Sequence, residues 1–156
     1  IDIAVEVDQD LPDINMGSDA FQQLCLNLFT NAVDALEKTD KKKIRLQLQG
    51  EQSCINLVVT DNGQGIPLDI QNNIFDPFYT TKDPGKGTGL GLATCWKIVH
   101  EQGGSIHCDS SPGNGTTIIV VLPVHPGEAS TSKTKRKDYA QTSTGDRRRA
   151  SGSQVF

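Results

Sequence analysis

In the segment Gly85-Lys86-Gly87-Thr88-Gly89-Leu90-Gly91, glycine stands at every second position just ahead of an apolar, helix-like stretch. Glycine lets the main chain adopt positive φ and approach a ligand closely, so successive N–H groups can converge on one anion, and a helix N-terminus adds its partial positive charge. Those are the requirements for cradling phosphate. The segment lacks the Gly-Lys-Ser/Thr ending of a Walker A loop, and no strand leads into it as a Rossmann fingerprint needs. A flexible hinge would use the same residues.

Two further groups carry chemistry. Asp61-Asn62-Gly63-Gln64-Gly65-Ile66-Pro67 follows an apolar run directly. A carboxylate at a strand end can accept a hydrogen bond from an exocyclic amine, and Gly63 and Gly65 leave room for a flat ring against the backbone, which suits adenine. An Asp-Asn-Gly turn is the plainer use of those residues. Earlier in the chain, Asn27, Asn31 and Asp34 fall at i, i+4 and i+7 and share one side of a candidate helix. Amide oxygens, phosphate oxygens and water together complete the octahedral shell that Mg²⁺ demands. Asparagines hydrogen-bonded in a helix groove would give the same spacing.

The elements that must position these groups follow from periodicity. Residues 1–7 and 43–49 alternate polar and apolar with a period of two, as half-buried strands do, and the more continuously apolar 53–60 suits a central strand. Two later segments, 105–109 and 116–122, bring the expected strands to five. Ser18-Asp19 is placed to cap a helix running to about Lys38, with lysine near its end. Its apolar residues form two stripes, Phe21, Leu24, Leu28 and Ala35 beside Cys25, Phe29, Val33 and Leu36. A second helix is expected to start in the glycine cluster near Gly87 and stop at Gly103-Gly104. Strands and helices interleave without regular βαβ alternation, which predicts an α+β protein, a two-layer α/β sandwich with a mixed sheet of about five strands.

Read together and in order, the three groups resemble the histidine-kinase branch of the ATPase superfamily that also holds DNA gyrase B, MutL and a heat-shock chaperone. Gln23 to Ala35 looks like its N box, and Asp61 to Ile66 its first glycine box. Ile74 to Lys82 resembles its F box, and Gly87 to Leu92 its second glycine box. The Pro-Phe-Tyr-Thr-Thr-Lys wording of residues 77–82 is most similar to nitrogen-regulation sensor kinases. The resemblance covers residues 1–124 and implies the Bergerat fold, with helices packed on one face of the sheet.

Carried onto this sequence, the resemblance implies that Asn31, with Asn27 nearby, binds Mg²⁺ bridging the ATP phosphates, Asp34 sharing their face. Asp61 would read the adenine amino group, with Gly63, Gly65 and Ile66 beside the ring. The segment from Phe75 to Gly87 would be a mobile ATP lid anchored by the Phe75 and Phe78 side chains. Lys82 would reach the phosphates, a solvated loop charge being the plainer alternative. Gly87, Gly89 and Gly91, with Thr88 and Leu90 between them, would offer backbone to the phosphates, and Thr116 would support the adenine-binding carboxylate. In relatives that hydrolyse ATP, the position four residues before the metal-binding asparagine is a glutamate general base. Here it is Asn27, and an amide takes no proton near neutral pH, so the site favours phosphoryl transfer over water splitting.

The family's acceptor is a histidine in a His-Glu-x-x-x-Pro-like segment of a separate dimerisation domain. His100, His107 and His125 stand in no such segment and read as structural or solvated. The chain is therefore expected to bind ATP and Mg²⁺ while an upstream domain of the same protein supplies the acceptor histidine and the homodimer contact, with a response-regulator receiver domain downstream in the relay. Two alternatives share the fold: a serine-directed protein kinase and a non-catalytic nucleotide-binding module.

Bulk properties agree. A chain of 156 residues fits one core, and no apolar run approaches a membrane span. Cys25, Cys54, Cys95 and Cys108 show no metal-ligand spacing and read as reduced thiols, which points to cytoplasm for the domain, and the resemblance is compatible with a parent protein anchored in the inner membrane. Residues 1–124 hold 8 basic and 16 acidic side chains, whereas residues 125–156 hold 7 and 3. That second stretch has too few apolar residues to offset the entropy of ordering and reads as a disordered basic tail without specific nucleic-acid binding.

Overall fold

A computed structural model describes residues 1–82, 84, 85 and 87–124. The expected tail and the lid residues Asp83 and Lys86 lie outside the described residues. The order of elements is β1 (Asp2–Val7), α1 (Ser18–Ala35), β2 (Lys43–Gly50), β3 (Cys54–Asp61), α2 (Gly91–Glu101), β4 (Ser105–Ser110) and β5 (Thr116–Pro123). The strands form one sheet in the order β1-β2-β3-β5-β4. β1 runs parallel to β2, and every other pairing is antiparallel, so the sheet is mixed. The expected α+β sandwich with five strands is the observed architecture.

Burial alternates along the central strands because successive side chains point to opposite faces. Ile55, Leu57, Val59 and Asp61 of β3 are buried, as are Thr116, Ile118, Val120 and Leu122 of β5. Of these, Leu57, Val59, Ile118, Val120 and Leu122 form one core with Leu24, Leu28, Ala32 and Leu36 from the α1 side and Cys95, Ile98 and Val99 from α2. The buried stripe thus runs at strict i+4 spacing from Leu24 to Leu36: it takes in Ala32 instead of the expected Ala35, and Leu36 joins Leu24 and Leu28 rather than Cys25, Phe29 and Val33. The other face is more polar, with Thr60 and Thr117 hydroxyls 3.2 Å apart across β3 and β5.

Three expectations about these elements need correction. β1 is not half-buried: all six of its residues are exposed, because α1 packs over β3 and α2 over β4 and β5. Ser18 does not cap α1; Gly17 occupies the N-cap with no side-chain hydrogen bond, and the Ser18 hydroxyl faces the Asp19 carboxylate. The helix also ends at Ala35 rather than near Lys38, and its last turn holds no basic residue. The thiols are free, with Cys95 buried and the others partly so. Burial pushes Cys95 up to about 12 and Cys108 up to about 11, which keeps both as neutral thiols.

Candidate functional site

The helix α1 stops where the glycine turn after β3 meets it. A Cβ on Gly63 would lie 2.4 Å from the Ala35 carbonyl oxygen, so only glycine fits there. The same carbonyl, an orphan acceptor at the helix end, receives the Gln64 N–H at 3.3 Å. Gly65 has φ 72°, and a Cβ on it would come within 2.0 Å of the Ser111 carbonyl oxygen. The turn is thereby wedged between the C-terminus of α1 and the β4–β5 hairpin.

Asp61 closes β3 and is buried, the whole residue being only 6% exposed. The Gly63 N–H donates to its Oδ1 at 2.8 Å. Burial raises its pKa, and the main-chain N–H groups of Gly63 and Thr116 draw it part of the way back. Support from Thr116 therefore comes through its backbone, paired with Asp61 in the sheet register, while its hydroxyl lies 2.9 Å from the Ser110 hydroxyl. A buried carboxylate at a strand end, followed by two residues that bear no side chain, can accept a hydrogen bond from an amine on a planar ring.

Of Asn27, Asn31 and Asp34 on α1, Asn31 stands against the start of α2. The Asn31 side-chain amide donates to the Asn27 main-chain carbonyl at 2.9 Å, and the Cys95 thiol of α2 donates to the Leu24 carbonyl one turn earlier at 3.9 Å. Both side-chain oxygens remain as acceptors, the donor type that a hard divalent cation requires. A Cβ on Gly91 would stand 3.4 Å from the Asn31 amide nitrogen, so the second glycine segment reaches this stripe. Lys82 pairs with the Asp34 carboxylate, placing a cation on the same face.

Leu90 rather than Gly87 is the N-cap of α2, and Gly89 at φ 66° explains the late start, since a left-handed residue cannot join a right-handed helix. Thr88 holds the bend by accepting the Leu90 N–H at 3.3 Å. Gly87 packs on Thr80 and Lys82, and Gly89 packs on the Phe78 backbone, whose N–H donates to the Gly89 carbonyl at 2.9 Å. Phe78 itself has φ 67° and is 75% exposed. Side-chain anchoring of this segment thus falls to buried Ile74 and partly buried Phe75, and Phe78 is held by its main chain alone.

Two residues that sequence reasoning passed over complete the site. The Ser110 hydroxyl accepts the Ile66 N–H at 2.8 Å, and the Gln71 side-chain amide donates to the carbonyls of Ile66 and Ser110 at 2.8 and 2.7 Å. Ser110 stands in Ser110-Ser111-Pro112-Gly113-Asn114-Gly115, a run that signals only a turn, and no spacing rule points to Gln71. An open concavity of about 930 Å³ lies at the opposite end of the strands, between Asp10, Pro12 and Glu51. Its acidic walls disfavour a polyanion, and none of the glycine segments reaches it.

With that geometry in hand, comparison with known proteins is informative. Residues 16–126 match the family model described as histidine kinase-, DNA gyrase B- and HSP90-like ATPase. The signal transduction histidine-protein kinase AtoS of Escherichia coli is 40% identical over 127 residues, which make up 81% of this chain and 20% of AtoS. The nucleotide-free catalytic domain of the histidine kinase ThkA superposes with TM-score 0.69 at 32% identity, covering 80% of this chain and 81% of that domain. Full-length ShkA in complex with AMPPNP superposes with TM-score 0.69 at 27% identity, covering 80% of this chain and 26% of ShkA. The chain thus spans a fifth of the length of AtoS.

Proposed function

Given that the chain belongs to the histidine kinase-, DNA gyrase B- and HSP90-like ATPase family, as a catalytic domain of the sensor histidine kinase type, we propose that it binds Mg-ATP at the site built on α1 and presents the γ-phosphate to a histidine of a separate dimerisation domain. Asp61 accepts the adenine amino group, with Gly63, Gly65 and Ile66 against the ring. Lys82 and the main chain of Gly87 to Gly91 face the phosphates, and Phe75 and Phe78 bound the lid. Asn31 and Asn27 would hold Mg²⁺ through their side-chain oxygens, with Asp34 beside them, and the ion would neutralise charge on the phosphates. The observation that carries this reading is the meeting of both glycine segments with the C-terminal half of α1: Gly63 on Ala35, and Gly91 beside Asn31.

The chemistry follows from what α1 presents. No carboxylate stands at position 27 to take a proton from water, so a nucleophile from outside is required, and the site contributes position and charge. The parent protein, on this reading, is a homodimeric sensor kinase that passes phosphate to a response-regulator aspartate. The test is to label the parent with γ-labelled ATP. Acid-labile label that falls in Asp61→Asn is the expected result; acid-stable label on serine would overturn the histidine-directed reading.

A further inference from the structure

We propose that Gln71 is a positioning residue of the nucleotide site, whose side-chain amide fixes the Asp61–Ile66 turn in the shape that the adenine ring needs. The inference rests on the nucleotide reading above and deepens it. A turn built around two glycines has little side-chain packing of its own, so its shape must be imposed from outside. Each peptide group from Gln64 to Ile66 that faces protein is tied to a different element. The Gln64 N–H donates to Ala35 of α1, and the Gln64 carbonyl accepts the Gly113 N–H at 2.8 Å from the β4–β5 hairpin. The Ile66 N–H donates to the Ser110 hydroxyl, and the Ile66 carbonyl accepts from Gln71.

Gln71 does two things at once. A primary amide nitrogen carries two N–H groups in one plane, and here they reach two carbonyls, Ile66 on the turn and Ser110 at the end of β4. The Ser110 hydroxyl, which receives the Ile66 N–H, lies 2.7 Å from the Gly115 carbonyl and so extends the network to the hairpin. A Cβ on Gly115 would in turn stand 2.0 Å from the Asp61 carbonyl oxygen. The amide of Gln71 therefore closes a ring of contacts around the backbone that presents Asp61. Leucine fills the same space with no donor, and glutamate offers acceptors to two carbonyls that need donors.

Gln71 lies partly buried on the stretch between this turn and Phe75, outside the phosphate-facing residues, so its effect should fall on the base and spare the phosphates. Calorimetric titrations of the full chain with Mg-ATP and with magnesium tripolyphosphate, which lacks the base, separate the two. Gln71→Leu is expected to weaken ATP binding about tenfold, the loss of roughly one hydrogen bond's net worth, and to leave tripolyphosphate affinity unchanged. Gln71→Glu is expected to weaken ATP at least as much at pH 7. Asp61→Asn serves as the marker of the adenine contact. ATP affinity unchanged in Gln71→Leu but reduced in Asp61→Asn would overturn the role of Gln71 alone. A parallel loss of both ligands together with a lowered melting temperature would reduce Gln71 to a structural residue and likewise overturn it. A wild-type chain that ignores ATP would strike the nucleotide reading itself.

Discussion

Burial at the end of β3 raises the pKa of Asp61, and the N–H groups of Gly63 and Thr116 compensate only in part. The native state consequently binds more protons than the unfolded chain between the ordinary aspartate value, near 3.9, and the raised native one. The stability due to the neutral carboxyl is fully present below the ordinary value and is lost as pH rises through the native value. Asparagine keeps an oxygen for the Gly63 N–H and does not titrate. Denaturant unfolding from pH 4 upward should therefore show the wild type losing stability relative to Asp61→Asn, with the difference levelling off once Asp61 is ionised. A difference independent of pH would overturn the burial argument. The same geometry gives the residue its use: a carboxylate that its surroundings do not fully satisfy has acceptor capacity left for a ligand's amine.

At the scale of elements, the strength of contacts separates what holds the fold from what shapes the site. Leu24 of α1 is fully buried against the sheet and α2. Leu24→Ala should cost about 2–5 kcal/mol in chemical denaturation, the range for leucine truncation in a packed core. The Lys82–Asp34 pair, with side chains 36% and 48% exposed, is screened by water and contributes under about 1 kcal/mol. Asp34→Asn should thus leave the unfolding midpoint nearly unmoved, and a loss as large as that of Leu24→Ala would contradict this division. Most of the elements were legible in the sequence because their signals are local, in the period-two alternation of β2, the continuous apolar run of β3 and the apolar stripes along α1. What was not legible depends on partners distant in the chain. The end of α1 is set by Gly63 packing on Ala35, the start of α2 by Gly89 held left-handed against the Phe78 backbone, and the exposure of β1 by where the helices lie. The site divides in the same way. Asp61, Asn31 and the glycines carry their chemistry in their own residue types, whereas Gln71 acquires meaning only from two carbonyls that folding brings to it.

At the scale of the whole molecule, the described chain closes on itself at Val124. Among the described residues, the buried hydrophobic core runs from Leu24 to Leu122, and the Val124 N–H donates to the Ser53 carbonyl at 3.0 Å, finishing the sheet at the β2–β3 end. The family match ends two residues later. We propose a domain boundary near there, with the segment that follows not needed for ATP binding. The residues proposed to touch nucleotide all fall between Asn27 and Thr116, and the core that supports them needs nothing after Leu122. Ending the chain at Val124 should leave the melting temperature and Mg-ATP affinity unchanged. The competing expectation is electrostatic, because residues 125–156 hold 7 of the 15 basic side chains in a protein of net charge −4. Were those charges to draw ATP in, the shortened chain would bind it more weakly, and the deficit would shrink as salt shortens the Debye length from about 30 Å at 0.01 M to about 10 Å at 0.1 M. Titrations of both chains at the two salt concentrations decide the matter: equal affinities at each support the boundary, and a deficit confined to low salt would extend the functional unit past Val124.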